Sequence, residues 1–326
     1  MKTYIHSLSS YVPTKRISNE ELVKNLDTTD EWIVSHTGIK FRHIAEESEA
    51  SSDLGIKAAK KALDQAGLQP DDVDLIITGS ASPDYPGFPS TACVIQDKIG
   101  AHNAGAMDLL AACTSFIYGI ETAKNFILTG SAKNILVIGT ETMSTIVDWT
   151  DRDSVLFGDG AGAAVVQENT ENGQSEIIDS YLRAEGAGAK HLLRKTGGSR
   201  STFHIGTVKE DLYLKMNGRQ VYTFAVRALC DTIKILLGRN NIDFQEVKYI
   251  VPHQANTRII EAAAKRLEYP VDKFFMNIDE YGNTSAASIP LALDDMLRKN
   301  LLQRGDLILT VGFGGGLTYG GNLLRW

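Results

Sequence analysis

Four polar or glycine-rich segments of the 326-residue chain each follow a short apolar or extended run. Cys113 follows "AGAMDLL", His253 follows "VKYIV", Asn283 lies in "YGNTSAASIP", and the glycines of "GFGGGLTYGG" follow "DLILTV". Each segment alone has an ordinary interpretation: a buried thiol, a satisfied histidine, a turn-forming asparagine or a flexible bend. Together they supply a nucleophile and N–H donors, which covalent catalysis through a cysteine requires.

The sequence around Cys113 predicts a strand followed by a helix. Residues 104–110 form a plausible buried strand, and residues 113–130 place Phe116, Ile120 and Ile127 on one helical stripe. Cys113 should therefore lie at a helix N-terminus. The partial positive charge and unpaired N–H groups there favour the thiolate, which is the nucleophilic form.

Helical and strand patterns alternate along the chain. Residues 51–66 have helical apolar spacing and stop at Gly67, whereas residues 72–80, 133–141 and 306–314 are short, nearly continuous apolar runs. Such runs, separated by helices, predict buried strands of a mainly parallel α/β sheet. His253 then falls in the loop after a strand, where α/β folds bind ligands.

A weak internal repeat divides the chain. Residues 61–81 resemble residues 234–255, and the cysteine segment aligns with residues 283–293 at nearly the same offset. This order favours a duplicated α/β unit. The predicted halves are residues 1–173, with the cysteine, and residues 174–326, with the histidine, the asparagine and the glycine-rich loop.

Composition narrows the functional classes. The net charge of -7 and the pI near 5.6 argue against non-specific binding to nucleic acid or anionic membranes. The first 18 residues contain no apolar core of a signal peptide, and no run of 18 uncharged apolar residues occurs, so we expect a cytoplasmic protein without a membrane span. Cys93, Cys113 and Cys230 are too widely spaced to suggest a disulfide framework or a metal site.

The run "FGDGAGAAVV" at residues 157–166 is superficially similar to a nucleotide-binding loop. The residues after its glycines are apolar and β-branched rather than the start of a helix, so the context of a dinucleotide fingerprint is missing. We interpret the run as a strand packed tightly in a sheet.

Motifs along nearly the whole chain resemble the thiolase superfamily of condensing enzymes, and within it β-ketoacyl-acyl-carrier-protein synthase III. The cysteine, histidine and asparagine occur in the same order and context. The similar segments are "TTDEWIVSHTGIKFRHIA", "GFPSTACVIQ", "AACTSF", "DWTDRDSVLFGDGAGAAV", "LKMNGRQVY", "HQAN", "GNTSAAS" and "GFGGGLTYG".

The resemblance implies a fold and an activity. The fold would be a five-layered αβαβα sandwich of two duplicated halves, assembled as a homodimer. The activity would be the initiating condensation of type II fatty acid synthesis, joining a short acyl-CoA primer to malonyl-acyl carrier protein. Acyl-CoA is then a substrate, and neither a cofactor nor a metal is expected.

The resemblance also assigns roles to the site residues. Cys113 would carry the acyl group, and its backbone N–H and that of Gly315 would form the oxyanion hole. His253 and Asn283 would stabilise the enolate left when malonyl thioester loses CO₂, for which His253 must be neutral.

By the same resemblance, Trp32 and Arg152 would sandwich the adenine ring of coenzyme A, and Asn256 would contact its pantetheine arm. The family's usual arginine four residues after the tryptophan is His36 here, which we expect to weaken one nucleotide contact or make it pH-dependent.

The acyl pocket would include Met143, Phe157 and Phe88, with Phe88 contributed across the dimer interface. Thr114 and Ser115 replace the family's commoner Ser-Gly, and we expect them to narrow the site.

Acyl carrier protein is acidic and should dock on a local basic face. Arg258, Lys265 and Arg266 form a basic run on the helix predicted directly after His253. The resemblance implies one more basic residue near position 223, where this chain has Thr223, so we expect a smaller basic surface.

Three other functions stay open at this point. A specialised relative could condense or transfer acyl groups in a natural-product pathway, a cysteine hydrolase could use a Cys113–His253 ion pair, and a binding protein could keep a degenerate site. A biosynthetic thiolase is disfavoured, because such an enzyme normally needs a second active-site cysteine near its C-terminus and no cysteine follows Cys230.

Overall fold

The computed structural model describes residues 2–170, 173–202 and 207–326. Its strands are β1 (Thr3–Tyr11), β2 (Arg16–Ser18), β3 (Phe41–His43), β4 (Leu75–Gly79), β5 (Gly105–Asp108), β6 (Asn134–Glu141), β7 (Gly160–Glu168), β8 (Glu176–Ala184), β9 (Leu192–Arg194), β10 (Leu214–Met216), β11 (Tyr249–Pro252), β12 (Leu307–Gly314) and β13 (Thr318–Arg325). Its helices are α1 (Asn19–Leu22), α2 (Asp30–Thr37), α3 (Ser51–Ala66), α4 (Thr91–Ile99), α5 (Ser115–Leu128), α6 (Gly218–Arg239), α7 (Thr257–Leu267), α8 (Ile278–Tyr281) and α9 (Ser288–Arg298). In the described residues, none of the helices combines the length and the apolar character that crossing a membrane requires.

Two mixed sheets organise the chain. The first has the strand order β1–β7–β6–β4–β5 and the second β11–β12–β13–β8. Strand β4 is parallel to β5 and β6, and β11 is parallel to β12, but β7 and β13 are antiparallel to both of their neighbours. The prediction of a mainly parallel sheet was therefore wrong. A parallel neighbour needs a crossover, whereas β7 and β13 enter the sheet from the end at which the preceding strand left it.

Helices cover both faces of each sheet. α3 and α4 pack on the outer face of the first sheet, α6 and α7 on the outer face of the second, and α5 and α9 between them. The result is the expected five-layered αβαβα sandwich. Strand β6 shows why the apolar run is continuous: Ile135 and Val137 enter the central core, whereas Leu136 and Ile138 enter the outer one.

The segments aligned by the internal repeat occupy equivalent places. A short turn, Ala112–Thr114, leads into α5, and a second one, Ser285–Ala287, leads into α9. Each turn begins with a residue in the left-handed region, Ala112 at φ 46° and Ser285 at φ 48°. The division of the chain at residue 173 stays a prediction.

Two local predictions are confirmed. Helix α3 spans residues 51–66 and ends at Gly67, which adopts φ 66° and caps the helix. The glycine-rich run becomes β7, where a Cβ on Gly162 would lie 2.4 Å from Cβ of Pro290. These glycines therefore let α9 pack closely on the sheet.

Candidate active site

A cavity of about 570 Å³ lies between loops that follow strands of both sheets. Cys113 approaches it from the first sheet, and His253 and Gly315 from the second. Asn283 reaches it from the loop before α9. Met143, Phe157 and Asn256 also line the cavity, so residues predicted from distant segments come together in one place.

Cys113 lies in the turn directly before α5. Its Sγ faces the backbone N–H groups of Cys113 and Gly315 and lies 3.2 Å from Ser285 Oγ. Position 314, which packs against Cys113, must be a glycine, because a Cβ there would lie 2.8 Å from the backbone nitrogen of Cys113. The glycine-rich loop therefore brings its backbone directly against the sulfur.

Burial raises the pKa of the Cys113 thiol to about 12, opposite to the lowering that the helix N-terminus predicts. Hydrogen bonds from Ser285 and from the two backbone N–H groups lower this pKa, but desolvation exceeds them and the Glu141 carboxylate raises it further. Cys113 is therefore a thiol, not a thiolate, in the free protein at neutral pH.

His253 follows β11 and is buried. Its Nδ1 lies 2.7 Å from Ser288 Oγ, and its ring meets Phe313 edge-on with centroids 5.3 Å apart. Burial lowers the pKa of His253 to about 3, which keeps the imidazole neutral. Since neither side chain is charged, Cys113 and His253 do not form the ion pair that a cysteine hydrolase needs.

Asn283 is held by the turn that follows it. Its Oδ1 accepts a hydrogen bond from the backbone N–H of Ser285 at 2.9 Å, and its backbone pairs with Leu156 and Gly158. These bonds fix the amide so that its NH₂ group is the part left to donate.

Three polar residues of the site were missed by sequence reasoning. Ser285 contacts Cys113, Ser288 contacts His253, and Glu141 is a fully buried carboxylate at the end of β6. Glu141 could have been found by the rule that identified His253, because it too ends a parallel strand. The two serines gave no separate signal within "GNTSAAS".

Of the residues expected to contact coenzyme A, Trp32 and Arg152 lie outside the cavity lining, whereas Asn256 is part of it. The Arg152 guanidinium carbon is 4.5 Å from the Trp32 ring centroid, and the His36 ring stacks on Trp32 at 4.3 Å. A separation of 4.5 Å leaves no room for a third ring, so Arg152 must move before adenine can enter between them. Asn256 caps α7 and donates from Nδ2 to the carbonyl of His36 at 3.0 Å.

Only two of the three residues predicted for the acyl pocket line the cavity. Met143 and Phe157 are buried and line the cavity, but Phe88 is 89% exposed and is not part of its lining. The expectation that Thr114 and Ser115 narrow the site was wrong. Both are buried behind it, where Thr114 donates to the carbonyl of Ala111 and the hydroxyl of Ser115 accepts from the N–H of Ala111.

The basic run lies on α7, which begins at the cavity rim. Arg258 donates from Nε to the carbonyl of Ser35 at 2.9 Å, which fixes the start of α7 against α2. Lys265 and Arg266 are exposed in its last turn.

Comparison with known proteins decides the family. The family profile described as 3-oxoacyl-[acyl-carrier-protein] synthase III matches residues 107–186, and the profile of its C-terminal part matches residues 237–326. The β-ketoacyl-[acyl-carrier-protein] synthase III of Caldanaerobacter subterraneus subsp. tengcongensis is 49% identical over 319 residues, 97% of this chain and 96% of that protein. The chain belongs to the 3-oxoacyl-[acyl-carrier-protein] synthase III family.

Similar solved structures agree with this assignment. The enzyme of Aquifex aeolicus VF5 is 43% identical and superposes with a TM-score of 0.91, covering 99% of this chain and 100% of that one. The priming β-ketosynthase of the R1128 polyketide biosynthetic pathway is 33% identical with a TM-score of 0.90, covering 99% and 96%. The chain is therefore an enzyme with the synthase III fold.

Proposed function

We propose that this enzyme initiates type II fatty acid synthesis by condensing a short acyl-CoA primer with malonyl-acyl carrier protein. The products would be 3-oxoacyl-acyl carrier protein, CO₂ and coenzyme A. The observation that carries the proposal is the placement of the Cys113 sulfur against two backbone N–H groups, in one cavity with His253 and Asn283.

The first half of the reaction transfers the acyl group to Cys113. Thioester exchange between two sulfurs changes bond energy little, so the acyl-enzyme stays reactive enough for the next step. The N–H groups that face the sulfur, those of Cys113 and Gly315, stabilise the tetrahedral oxyanion. A well-placed donor of this kind contributes about 3 to 4 kcal/mol to transition-state stabilisation.

The second half forms an enolate by decarboxylation of the malonyl group. Ser288 Oγ accepts from the N–H of Gln254 at 3.4 Å, which leaves its own hydrogen to donate to Nδ1 of His253. The ring proton then resides on Nε2, and His253 and Asn283 both offer N–H groups to the enolate oxygen. The enolate carbon attacks the acyl carbon, the carbon–sulfur bond to Cys113 breaks, and the released thiolate takes up one proton from water to restore the thiol.

The substrates would share one entrance. Trp32 and Arg152 would hold the adenine of coenzyme A, and Asn256 would contact the pantetheine arm. Lys265 and Arg266 at the far end of α7 would attract the acidic carrier protein, because opposite charges steer association.

A homodimer would complete the acyl pocket. Strand β5 is the edge of its sheet, and its last residue, Asp108, accepts hydrogen bonds from the N–H groups of Thr91 and Ala92 just after Phe88. Leu110 is 82% exposed yet lines the cavity, so the cavity opens on the face that carries Phe88. Pairing of two copies along β5 would cover this apolar face and let Phe88 of each copy close the pocket of the other.

Priming of a polyketide pathway is the second candidate. It is favoured by the similarity to the R1128 priming β-ketosynthase and would use the same acyl-cysteine chemistry with another primer. In either case we propose a cytoplasmic enzyme that needs neither a bound cofactor nor a metal.

The intact mass of the protein tests the proposal directly. We expect the wild type, after mixing with acetyl-CoA, isobutyryl-CoA or octanoyl-CoA, to gain one acyl group, and the Cys113→Ala variant to gain none. The primer that reacts fastest identifies the chain length. No adduct with any of the three would contradict priming by coenzyme A thioesters.

A further inference from the structure

Glu141 is a buried carboxylate to which the chemistry described so far gives no task. It accepts hydrogen bonds from the N–H groups of Ala81, Ser82 and Ala286 at 2.9, 3.0 and 3.2 Å, and from Ser82 Oγ at 2.6 Å. Within the described part of the chain, no cationic side chain forms a salt bridge with it. Its charge is therefore balanced by neutral donors alone, an arrangement that is costly for a buried carboxylate.

Ser285 connects this carboxylate to the nucleophile. Its hydroxyl donates to Cys113 Sγ at 3.2 Å, and it also lies close enough to Glu141 to lower the pKa of that carboxyl by hydrogen bonding. In this structure the Ser285 hydroxyl donates to the sulfur. Because a hydroxyl has one hydrogen and two lone pairs, rotating that hydrogen toward Glu141 leaves a lone pair on Ser285 Oγ to accept from the thiol of Cys113. The three side chains then form a continuous hydrogen-bonded path from the thiol to the carboxylate.

The thiol needs a proton acceptor, and the other titratable groups that line the cavity are poorly placed for this task. His253 is engaged at Nδ1 by Ser288, and burial lowers its pKa to about 3. Arg194 donates from Nε to the carbonyl of Leu212 at 2.8 Å, and the Tyr222 hydroxyl is directed to the carbonyl of Arg258. Burial raises the pKa of Glu141, which makes this carboxylate a stronger base than an exposed one.

We propose that Ser285 and Glu141 relay the proton of Cys113 during acyl transfer. The inference rests on the proposed acyl-cysteine function. As the sulfur attacks the thioester carbonyl carbon, the S–H bond breaks and its hydrogen passes to Ser285 Oγ, whose own hydrogen passes to Glu141.

The relay restores itself within the same half-reaction. When the tetrahedral adduct collapses, the bond between carbon and the leaving sulfur breaks. The proton returns from Glu141 through Ser285 to that sulfur, and coenzyme A leaves as a thiol. Glu141 ends as a carboxylate, and no net proton is gained or lost.

The test measures acylation of Cys113 by acetyl-CoA, by rapid quenching and intact mass, from about pH 6 to about pH 9. We expect Glu141→Gln and Ser285→Ala to slow acylation about 100-fold or more at neutral pH, the usual contribution of general base catalysis. Their rates should rise about tenfold per pH unit, because hydroxide must then ionise the thiol, whereas the wild-type rate should change little. Ser80→Ala is the matched control, because Ser80 Oγ lies 3.2 Å from Glu141 and has no hydrogen bond to Cys113 among the described residues.

A purely structural role gives a different result. Decarboxylation of malonyl-acyl carrier protein does not need the relay, so it should stay within about twofold of wild type in both variants. Equal loss of acylation and decarboxylation, an equal effect of Ser80→Ala, or unchanged pH dependence would each overturn the relay. If Ser285→Ala does not fold, Ser285→Gly replaces it, because glycine readily adopts φ 48°. A wild type that gains no acyl mass would instead contradict the proposed function itself.

Discussion

At the scale of single residues, burial sets the charge state of the site. The position of Cys113 at the N-terminal end of α5 predicted a thiolate. Desolvation instead raises the pKa of Cys113, and it lowers the pKa of His253. Both groups are consequently neutral at the start of the reaction. A neutral His253 suits donation to an enolate, and a neutral Cys113 requires that its proton be removed during the attack.

The depressed pKa of His253 predicts a flat pH profile for decarboxylation. The ring keeps its neutral form from the ordinary pKa of 6.5 down to about 3, so lowering the pH from about 8 to about 5 should not protonate it. We expect the Cys113→Ala variant to decarboxylate malonyl-acyl carrier protein at a rate that varies less than about twofold over this range. Release of ¹⁴CO₂ measures the rate, and thermal unfolding at each pH verifies that the variant stays folded. A decline with its midpoint near 6.5 would show that the ring titrates as an exposed histidine does.

Ser288→Ala tests the hydrogen bond that holds the imidazole. Without the hydroxyl at 2.7 Å, Nδ1 loses its partner and the proton is no longer directed to Nε2. Decarboxylation should fall about tenfold to 100-fold, which is less than the roughly 100-fold to 1,000-fold cost of removing a donor itself. Acylation of Cys113, followed by intact mass, should be unchanged. Restoration of decarboxylation by Ser288→Thr would support the hydrogen bond, and parallel loss of both half-reactions would indicate local unfolding instead.

The sequence predicted which residues meet in the cavity better than it predicted the surroundings of those residues. Residue type and position after a strand identified Cys113, His253 and Asn283, because each is chemically distinctive. Ser285 and Glu141 were missed, since their roles depend on distances between segments that are 144 positions apart in the chain. The direction of the Cys113 pKa shift was also beyond the sequence, because it depends on how much water the folded loops exclude.

At the scale of elements, periodicity located strands and helices well but not strand direction. Helix α3 and strands β4, β6 and β12 lie where the apolar patterns placed them, because both faces of each strand are buried. The antiparallel entry of β7 and β13 was not predicted. A continuous apolar run records burial on two faces and carries no information about direction.

Helix α7 permits a test of carrier-protein docking. We expect the double variant Lys265→Ala, Arg266→Ala to raise KM for malonyl-acyl carrier protein about fivefold to 30-fold, since each exposed ion pair contributes up to about 1 kcal/mol. Acylation by acetyl-CoA should not change, and the difference from wild type should shrink at high salt because exposed charges are screened. Steady-state kinetics at two ionic strengths measure both effects.

The control for docking is Lys60→Ala. Lys60 is exposed on α3, which packs on the first sheet, in the outer layer opposite α7. A similar rise in KM for this variant would mean that overall charge, rather than the α7 surface, governs the carrier protein. An unchanged KM in the double variant would exclude α7 as the docking surface.

At the scale of the whole molecule, the β5 edge of the first sheet and the apolar side chains beside it are uncovered. The edge strand β5, the exposed Phe88 and Leu110, and the half-exposed Tyr85 belong to neighbouring segments, and the cavity opens beside Leu110. An unpaired edge flanked by apolar side chains is a surface that proteins usually cover. The dimer proposed above covers it and closes the acyl pocket with the same contact.

Phe88→Asp should therefore weaken assembly and alter primer choice together. Burying a phenylalanine contributes about 1.5 to 3 kcal/mol, and a two-fold interface would bury it twice, so we expect dissociation at least about 100-fold more favourable than in the wild type. Light scattering during gel filtration measures the mass, and the acylation rates with acetyl-CoA and octanoyl-CoA measure the pocket. Val271→Asp is the control, because Val271 is also exposed but lies just after α7, which covers the second sheet. A variant that dissociates yet keeps the wild-type ratio of acetyl to octanoyl transfer would separate the pocket from the interface, and a wild type that is monomeric would contradict the dimer.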